Sequence, residues 1–503
     1  MNQFYKTGSY IIYSRIGMIL IALIIVATGV YSSRSTMVLP CLLVFFGALL
    51  FLVKSTKTPA LAIQIMLVLS FLLLGLNRYI FINRPIGLTI DVLLVITWVV
   101  VFLKGFKNVD WTLKNNSLTA CWAIWMVYCV IELFNPEVVS STAWFYAVRS
   151  LALYNFLLIP LIFLICNQKR DYKVFINIWF IAAILLSIYG IKQFIYGVDR
   201  WEMAWLNAGA IRTHMLWGRL RVFSFLCDAG QFGVFQAQAG TTALIFALKE
   251  TNKKKLIFYL ITSFFSFYGM IISGTRGVLA VPIIGLCLYL VFSKNLKIIL
   301  GVGLLGALIL YQLAFTMRLN KYAPIARMRT AFDQNDPSFQ VRKSNREKLD
   351  VYLETRPYGG GIGSAGSWGY RFSPDTFLAQ FQTDGGYVRI KAETGIVGLT
   401  IYLAILILII IRMGWIVWHQ KKGILSNQMI GLTCGVAGVY VANWGNSYSG
   451  QIPSCLIIMF CMAYVYMSPK WDKGEEYPLF GTKLPIKKQS KLNIETKMND
   501  VKK

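Results

Sequence analysis

The sequence predicts an all-α polytopic membrane protein with about 12–14 transmembrane helices and a large extracytoplasmic loop folded as a cap. Three observations carry this expectation. Of 503 residues, 56% are hydrophobic and 14% charged, against roughly 25% charged in a soluble domain. Apolar runs long enough to cross a hydrocarbon core of about 30 Å recur along the chain. Lys and Arg are shared unequally between alternate connecting segments, the bias that orients membrane helices.

The runs fall at 16–33, 36–53, 59–76, 88–103, 117–134, 151–167, 174–195, 229–248, 256–272, 277–293, 297–315, 386–411, 426–442 and 452–467, which makes 14. The first follows Arg15 and is closed by no small-residue cleavage site, so it reads as a membrane helix and not as a signal peptide. With the N-terminus in the cytoplasm, the short inner segments hold 19 basic residues, whereas the short outer ones hold Arg34, Arg78, Arg84, Arg149 and Arg276. The same assignment leaves the C-terminus inside, on a basic polar tail from Pro469 whose composition suits disorder.

The formal charge of +28 does not indicate nucleic acid, because the basic residues lie between apolar runs and in the tail. That distribution fits membrane orientation and contact with anionic head groups or phosphorylated ligands. The nine cysteines form no CxxC pair and lie mostly in apolar runs, which indicates neither a disulfide framework nor a zinc site. No cofactor is expected.

Two outer segments are long. The first runs from about Tyr196 to Asp228 and carries Arg200, Arg212, Arg219 and Arg221; the second runs from about Thr316 to Gly385. Loops of this length are functional or disordered, and the second has structure written into it. Pro337 opens a helix through Ser338 to Thr355, and a Gly-rich stretch follows, Arg356-Pro-Tyr-Gly-Gly-Gly-Ile-Gly-Ser-Ala-Gly366. Gly361-Ile-Gly363-Ser-Ala-Gly366 matches GxGxxG, but no buried strand precedes it, so a turn or a close backbone approach explains the glycines. Tyr358, Trp368, Tyr370 and Phe372 suit a surface that grips sugars, and equally suit the core of the cap.

Charged groups gather where these segments meet the membrane. Arg276, in Ser273-Gly-Thr-Arg-Gly277, joins two spans with almost no loop; it either snorkels at a helix end or marks a site. Arg221 precedes Asp228 at the re-entry of the first long loop. The two can pair with each other, or Arg221 can converge with Arg276 on an anion; guanidinium forks suit a diphosphate. Asp384 opens the span that follows the cap, as a helix N-cap or as a functional acid. His214 in the first outer loop is a minor catalytic candidate, and His419 in an inner loop cannot join it.

Arg221-Val-Phe-Ser-Phe-Leu-Cys-Asp-Ala, Ser273-Gly-Thr-Arg276-Gly, Arg346 with Arg356-Pro-Tyr-Gly-Gly-Gly-Ile-Gly, and Asp384-Gly-Gly-Tyr387 with Glu393-Thr-Gly395-Ile-Val-Gly398-Leu occur in that order. With this set the chain resembles the O-antigen ligase and Wzy polymerase superfamily, the proteins with a Wzy_C domain, over about 215–410. The resemblance implies a GT-C-like, metal-independent membrane glycosyltransferase acting on undecaprenyl-diphosphate-linked glycans at the outer face of a bacterial inner (plasma) membrane. It assigns the diphosphate to Arg221 and Arg276 and the acceptor hydroxyl to Asp384. It extends substrate contact to Arg219, Arg346, Arg356, Tyr387 and Arg389. A chain-length regulator is a further partner that the family allows.

One departure separates the chain from the ligases, which carry His-Asn where this sequence has Asp384-Gly385. An imidazole is a competent base near neutral pH, whereas a carboxylate near pKa 3.9 is weaker. The difference argues for an inverting repeat-unit polymerase over a ligase passing glycan to lipid A–core, and leaves open whether Asp384 takes the proton or only orients the acceptor. A flippase for lipid-linked oligosaccharides is the rival of another class; it predicts charge along a central cavity and an internal repeat. The expected organisation is an N-terminal helical region over 1–195, a catalytic membrane region over 196–467 that includes the cap 316–384, and a tail over 468–503.

Overall fold

The computed structural model describes residues 59–79, 87–103, 110–216, 218–294, 323–332 and 337–478, with isolated positions between 300 and 316. The expected spans 16–33 and 36–53, most of 297–315, and the tail beyond 478 lie outside the described residues. Among those described, nine helices are long and apolar enough to cross a membrane. They are α1 Pro59–Leu76, α3 Ser117–Phe134, α4 Ser141–Ile165, α5 Lys169–Tyr196, α7 Lys253–Ile272, α8 Arg276–Ser293, α12 Gly386–His419, α13 Ile424–Ala442 and α14 Ser454–Asp472. The 16-residue α2, Leu88–Leu103, and the less apolar α6, Ala229–Ala247, run with them. The protein is an all-α polytopic membrane protein, and a two-residue hairpin, Met215–Leu216 with Arg219–Leu220, is the sheet found among the described residues.

The helix that organises the bundle is α6. Its sequence, AGQFGVFQAQAGTTALIFA, alternates small residues with Gln and Thr, and every residue except Leu244 is buried. Small residues let backbones approach closely, and side-chain amides bridge helices where no water competes. Accordingly a Cβ at Gly233 would press on Ser273 and one at Gly240 on Phe267 and Ser266. Gln236 donates to the Ala183 carbonyl at 2.9 Å, and Gln231 to the Ser454 hydroxyl at 3.0 Å. The helix is therefore sheathed by α5, α7, α8, α13 and α14 and does not face lipid.

Four helices differ from their expected limits by five residues or more, α5 by starting at Lys169 and not at 174. α4 begins ten residues earlier than 151, because Ser140 caps a new start at Ser141 and a π turn over Arg149–Leu153 carries the helix onward. Arg149, expected in an outer connection, thus lies within a helix, paired with Asp91 of α2 at 2.7 Å. α12 runs to His419, beyond 411. α14 continues through Pro469 to Asp472, so the tail does not begin at Pro469; Trp471 is buried beside Tyr172 and Tyr464, which holds the last turn in place.

The cap comprises α9 Ala323–Arg329, α10 Pro337–Leu353, the Gly-rich turn, α11 Gly366–Phe372 and a short helix Phe377–Gln380. The helix expected from Pro337 is present and ends at Leu353. Leu349, Leu353, Ala365 and Leu378 form a small core with Ala392 of α12, so the cap is built on the first turns of that helix. The glycines answer to close backbone approach: a Cβ at Gly363 (φ +88°) would stand 2.6 Å from the Ala143 carbonyl of α4. Glu393, fully buried, receives the backbone N–H groups of Gly363 and Ala365. α12 is kinked at Gly395 (φ +66°), where Val397 N–H donates to the Pro357 carbonyl at 3.3 Å and Gly360 N–H donates to Ala392 at 2.9 Å. Trp368 and Phe372 stack on Tyr146 of α4, with centroids at 4.8 and 5.6 Å. These two rings anchor the cap to the membrane domain; Tyr358 and Tyr370 remain exposed.

Candidate active site

Beneath the cap, on the face where α5 ends and α6, α8 and α12 begin, lies a cavity of about 490 Å³. Its walls come from five places far apart in sequence. The first long loop contributes Thr213, His214, Arg221 and Asp228; the 274–277 turn contributes Thr275 and Arg276; the cap contributes Arg327 and Arg342; the start of α12 contributes Asp384; and the α13–α14 connection contributes Asn446 and Tyr448. Arg221, Arg276 and Asp384 therefore share one cavity.

Each is positioned by its own local chemistry. The backbone N–H of Arg221 donates to the His214 carbonyl at 2.8 Å, closing the hairpin that aims the side chain. Its Nη1 donates to the Thr213 carbonyl at 3.1 Å and its Nη2 to the Thr275 hydroxyl at 3.0 Å, while its Nε is buried without a partner. Thr275 in turn donates to the Ala229 carbonyl, and Gly274 (φ +59°) supplies the left-handed turn against Arg327. Arg276 donates from Nη1 to the Thr330 hydroxyl of the cap at 2.9 Å. Neither arginine snorkels outward, and Arg221 is not consumed by Asp228, whose carboxylate caps α6 by accepting from Gln231 N–H at 2.9 Å.

Asp384 is not a helix cap either. The N-cap of α12 is Gly385 (φ +117°), where a Cβ would stand 2.5 Å from the Trp444 carbonyl, and no side chain caps that end. The Asp384 carboxylate instead lies 3.8 Å from Nε of Arg342. Four guanidinium groups against two carboxylates leave an excess of two positive charges on the walls. The starts of α6 and α12 add the positive ends of helix dipoles on the same face, an environment that favours an anion. Burial pushes the pKa of Arg221 down from its high ordinary value, Asp228 and Tyr448 push it up, and Arg276 and Arg342 push it down again. An anion between these arginines would relieve that repulsion.

His214 also lines the cavity, but its ring is packed between Trp205 and Phe223, with Nδ1 2.9 Å from the Ala210 carbonyl. Burial lowers its pKa, which keeps the imidazole neutral.

The remaining predicted substrate contacts do not line this cavity. Arg219 is exposed on the hairpin beside Leu216. Arg346 lies one turn from Arg342 with its guanidinium 4.5 Å over the Trp444 ring. Arg356 is ion-paired with Glu137 at 3.1 Å and covers Tyr352. Tyr387 donates to the Tyr440 carbonyl at 2.6 Å. Arg389 pairs with Glu393 at 3.0 Å on a separate cavity of about 40 Å³, room for water alone. Conversely, sequence reasoning did not assign Arg327, Arg342, Asn446 or Tyr448 to the site. The signals were there: Arg342 and Arg346 share one helix face at i, i+4, and Asn443-Trp-Gly-Asn-Ser-Tyr-Ser-Gly450 is a polar, ring-bearing connection between apolar spans. Among the described residues no group of three or more His, Cys, Asp or Glu side chains is placed to hold a metal ion.

Residues 261–403 match the Wzy_C family model, described as O-antigen ligase. The match begins in α7, takes in Arg276, the cap and Asp384, and ends just beyond the kink of α12. Over that stretch the chain is similar to proteins of the O-antigen ligase and polymerase type. No curated protein matches the chain.

Proposed function

We propose that the protein is a membrane glycosyltransferase that moves an oligosaccharide repeat unit from an undecaprenyl-diphosphate donor to the hydroxyl of a second lipid-linked glycan. The observation that carries this reading is the meeting of Arg221, Arg276 and Asp384 in one cavity under the cap. In this reading the donor's lipid lies along the bundle and its diphosphate sits between Arg221 and Arg276. The acceptor approaches from Asp384. Attack of the acceptor oxygen on the anomeric carbon breaks the bond to the diphosphate, whose oxygen keeps the electron pair, and the configuration inverts. Asp384 accepts the hydrogen bond of the attacking hydroxyl and orients it, and the hydroxyl proton passes by way of that carboxylate to solvent as the bond to carbon forms. The guanidinium groups take up charge developing on the leaving group, the contribution that preorganised donors make best in a site shielded from water. They supply positive charge where a metal ion would otherwise do so.

The outer face of the inner membrane follows for the cap, with both termini in the cytoplasm. The ligase reading has one observation in its favour, the description of the matched family, and the carboxylate at 384 stands against it.

The test is transfer by purified full-length protein in proteoliposomes with a lipid-linked repeat unit. Lengthening of the glycan without a membrane gradient is expected. Arg276→Ala should reduce the rate by about 10²–10³-fold, as for loss of one transition-state donor, with Arg276→Lys recovering only part of it. Transfer to lipid A–core alone would indicate a ligase. Lipid movement without lengthening, or wild-type rates in a correctly inserted Arg276→Ala, would defeat the proposal.

A further inference from the structure

Arg342 differs from Arg221 and Arg276 in what holds it. Arg221 is tied to Thr213 and Thr275, and Arg276 to Thr330, whereas Arg342 sits on a cap helix and faces Asp384. Its Nε is 3.8 Å from the carboxylate, an ion pair without a hydrogen bond, and has no other partner. Both side chains are about two-fifths exposed, at 37% and 40%. A pair of that length and exposure contributes little. A diphosphate offers the same guanidinium short, charge-assisted and bidentate bonds. The helix itself is well seated: Leu349 is buried in the cap core, Arg346 covers Trp444, and Asp350 is bound to Lys391 of α12 at 2.5 Å. Only the tip of Arg342 need move.

We infer that Arg342 is a third diphosphate-binding residue, shared between the two substrates: in the empty cavity it neutralises Asp384, and on donor binding it turns to the diphosphate and frees the carboxylate for the acceptor hydroxyl. This rests on the proposed glycosyl transfer. It biases binding toward donor before acceptor, by no more than the several-fold that so weak and exposed a pair can supply. It also gives a preference for diphosphate over monophosphate, since the cap arginine reaches the group farther from the lipid.

The experiment measures binding of undecaprenyl diphosphate and of undecaprenyl monophosphate to the full-length protein in nanodiscs, in a double-mutant cycle of Arg342→Gln and Asp384→Asn. Arg342→Gln should weaken diphosphate binding by roughly tenfold to a hundredfold, the range for hydrogen bonds to charged groups, and weaken monophosphate binding much less. Asp384→Asn should tighten diphosphate binding several-fold when Arg342 is present and have no effect in the Arg342→Gln background. Lys343→Gln, which removes an exposed charge from the same helix, should leave binding unchanged and so separates contact from a general field effect. Equal gains from Asp384→Asn in both backgrounds, or wild-type diphosphate affinity in Arg342→Gln, would overturn the inference. If Arg276→Gln also leaves diphosphate binding intact, the proposed function falls with it; if Arg276→Gln abolishes binding, only the role of Arg342 falls.

Discussion

The carbonyl oxygen of Pro357 occupies the place where a side chain on Gly395 would stand. Through this contact the Gly-rich turn of the cap lies in the kink of a membrane helix, and Val397 N–H completes the join.

Gly395→Ala should therefore loosen the cap. The backbone there has φ +66°, which costs a non-glycine residue roughly 1–3 kcal/mol before any collision is counted. Limited proteolysis in detergent reads the outcome: faster cleavage between 316 and 384, with the membrane helices still protected.

Removal of Asp91 leaves the part-buried Arg149 without its carboxylate, 2.7 Å away in the wild type. Loss of one partner costs less than the roughly 3–5 kcal/mol of a fully buried pair, because the Asp91 side chain is 22% exposed. The thermal midpoint of Asp91→Leu should fall accordingly, and Asp91→Leu with Arg149→Leu should recover most of it.

Acid should loosen the first long loop. The pKa of His214 is lowered by burial between Trp205 and Phe223, with Arg221 and Arg78 opposing its protonation and the Ala210 carbonyl and Asp228 favouring it. The unfolded loop, with an ordinary histidine near 6.5, then binds more protons than the folded one. Stability from the neutral ring is complete above about pH 6.5 and is lost as pH falls toward the lower folded value. Amide exchange over 200–228 should accelerate on that descent in the wild type, and His214→Gln should flatten the response.

Arg221→Lys keeps the charge but loses the fork that spans the Thr213 carbonyl and the Thr275 hydroxyl. A compact ammonium cannot hold both while binding phosphate oxygens. Turnover in the transfer assay should fall by about 10²–10³-fold, with wild-type monodispersity on gel filtration.

The membrane helices were legible because hydrocarbon imposes one length and one polarity on everything that crosses it. α1 and α2 match their apolar runs end to end. α6 was equally visible as a run, but its small and amide-bearing residues, which mark it as the sheathed centre, speak only when neighbouring helices are present. The start of α4 was missed because Arg149 looked like a loop residue until Asp91, 58 positions earlier, supplied its counter-charge. At the cavity, the motifs drew attention to Arg221, Arg276 and Asp384 because each breaks an apolar pattern. Glu393, Gly395 and Gly398 were drawn in by the same motif, yet they fasten the cap and meet no cavity of substrate size. Arg342 was hidden among the other charges of an amphiphilic helix, and only the fold of the cap over Asp384 distinguishes it from Lys343.

The two rims of the cap answer to different solution variables. One is fastened by Gly363 against Ala143, by buried Glu393 and by the rings of Tyr146, Trp368 and Phe372, none of which dissolved ions reach. The other adds to the Arg276–Thr330 hydrogen bond, the Arg346–Trp444 contact and the Lys391–Asp350 pair the half-exposed Arg342 and Asp384, whose attraction salt weakens. Raising salt loosens the tip of Arg342 above the cavity while the helix that carries it stays seated, and heat reaches both rims together.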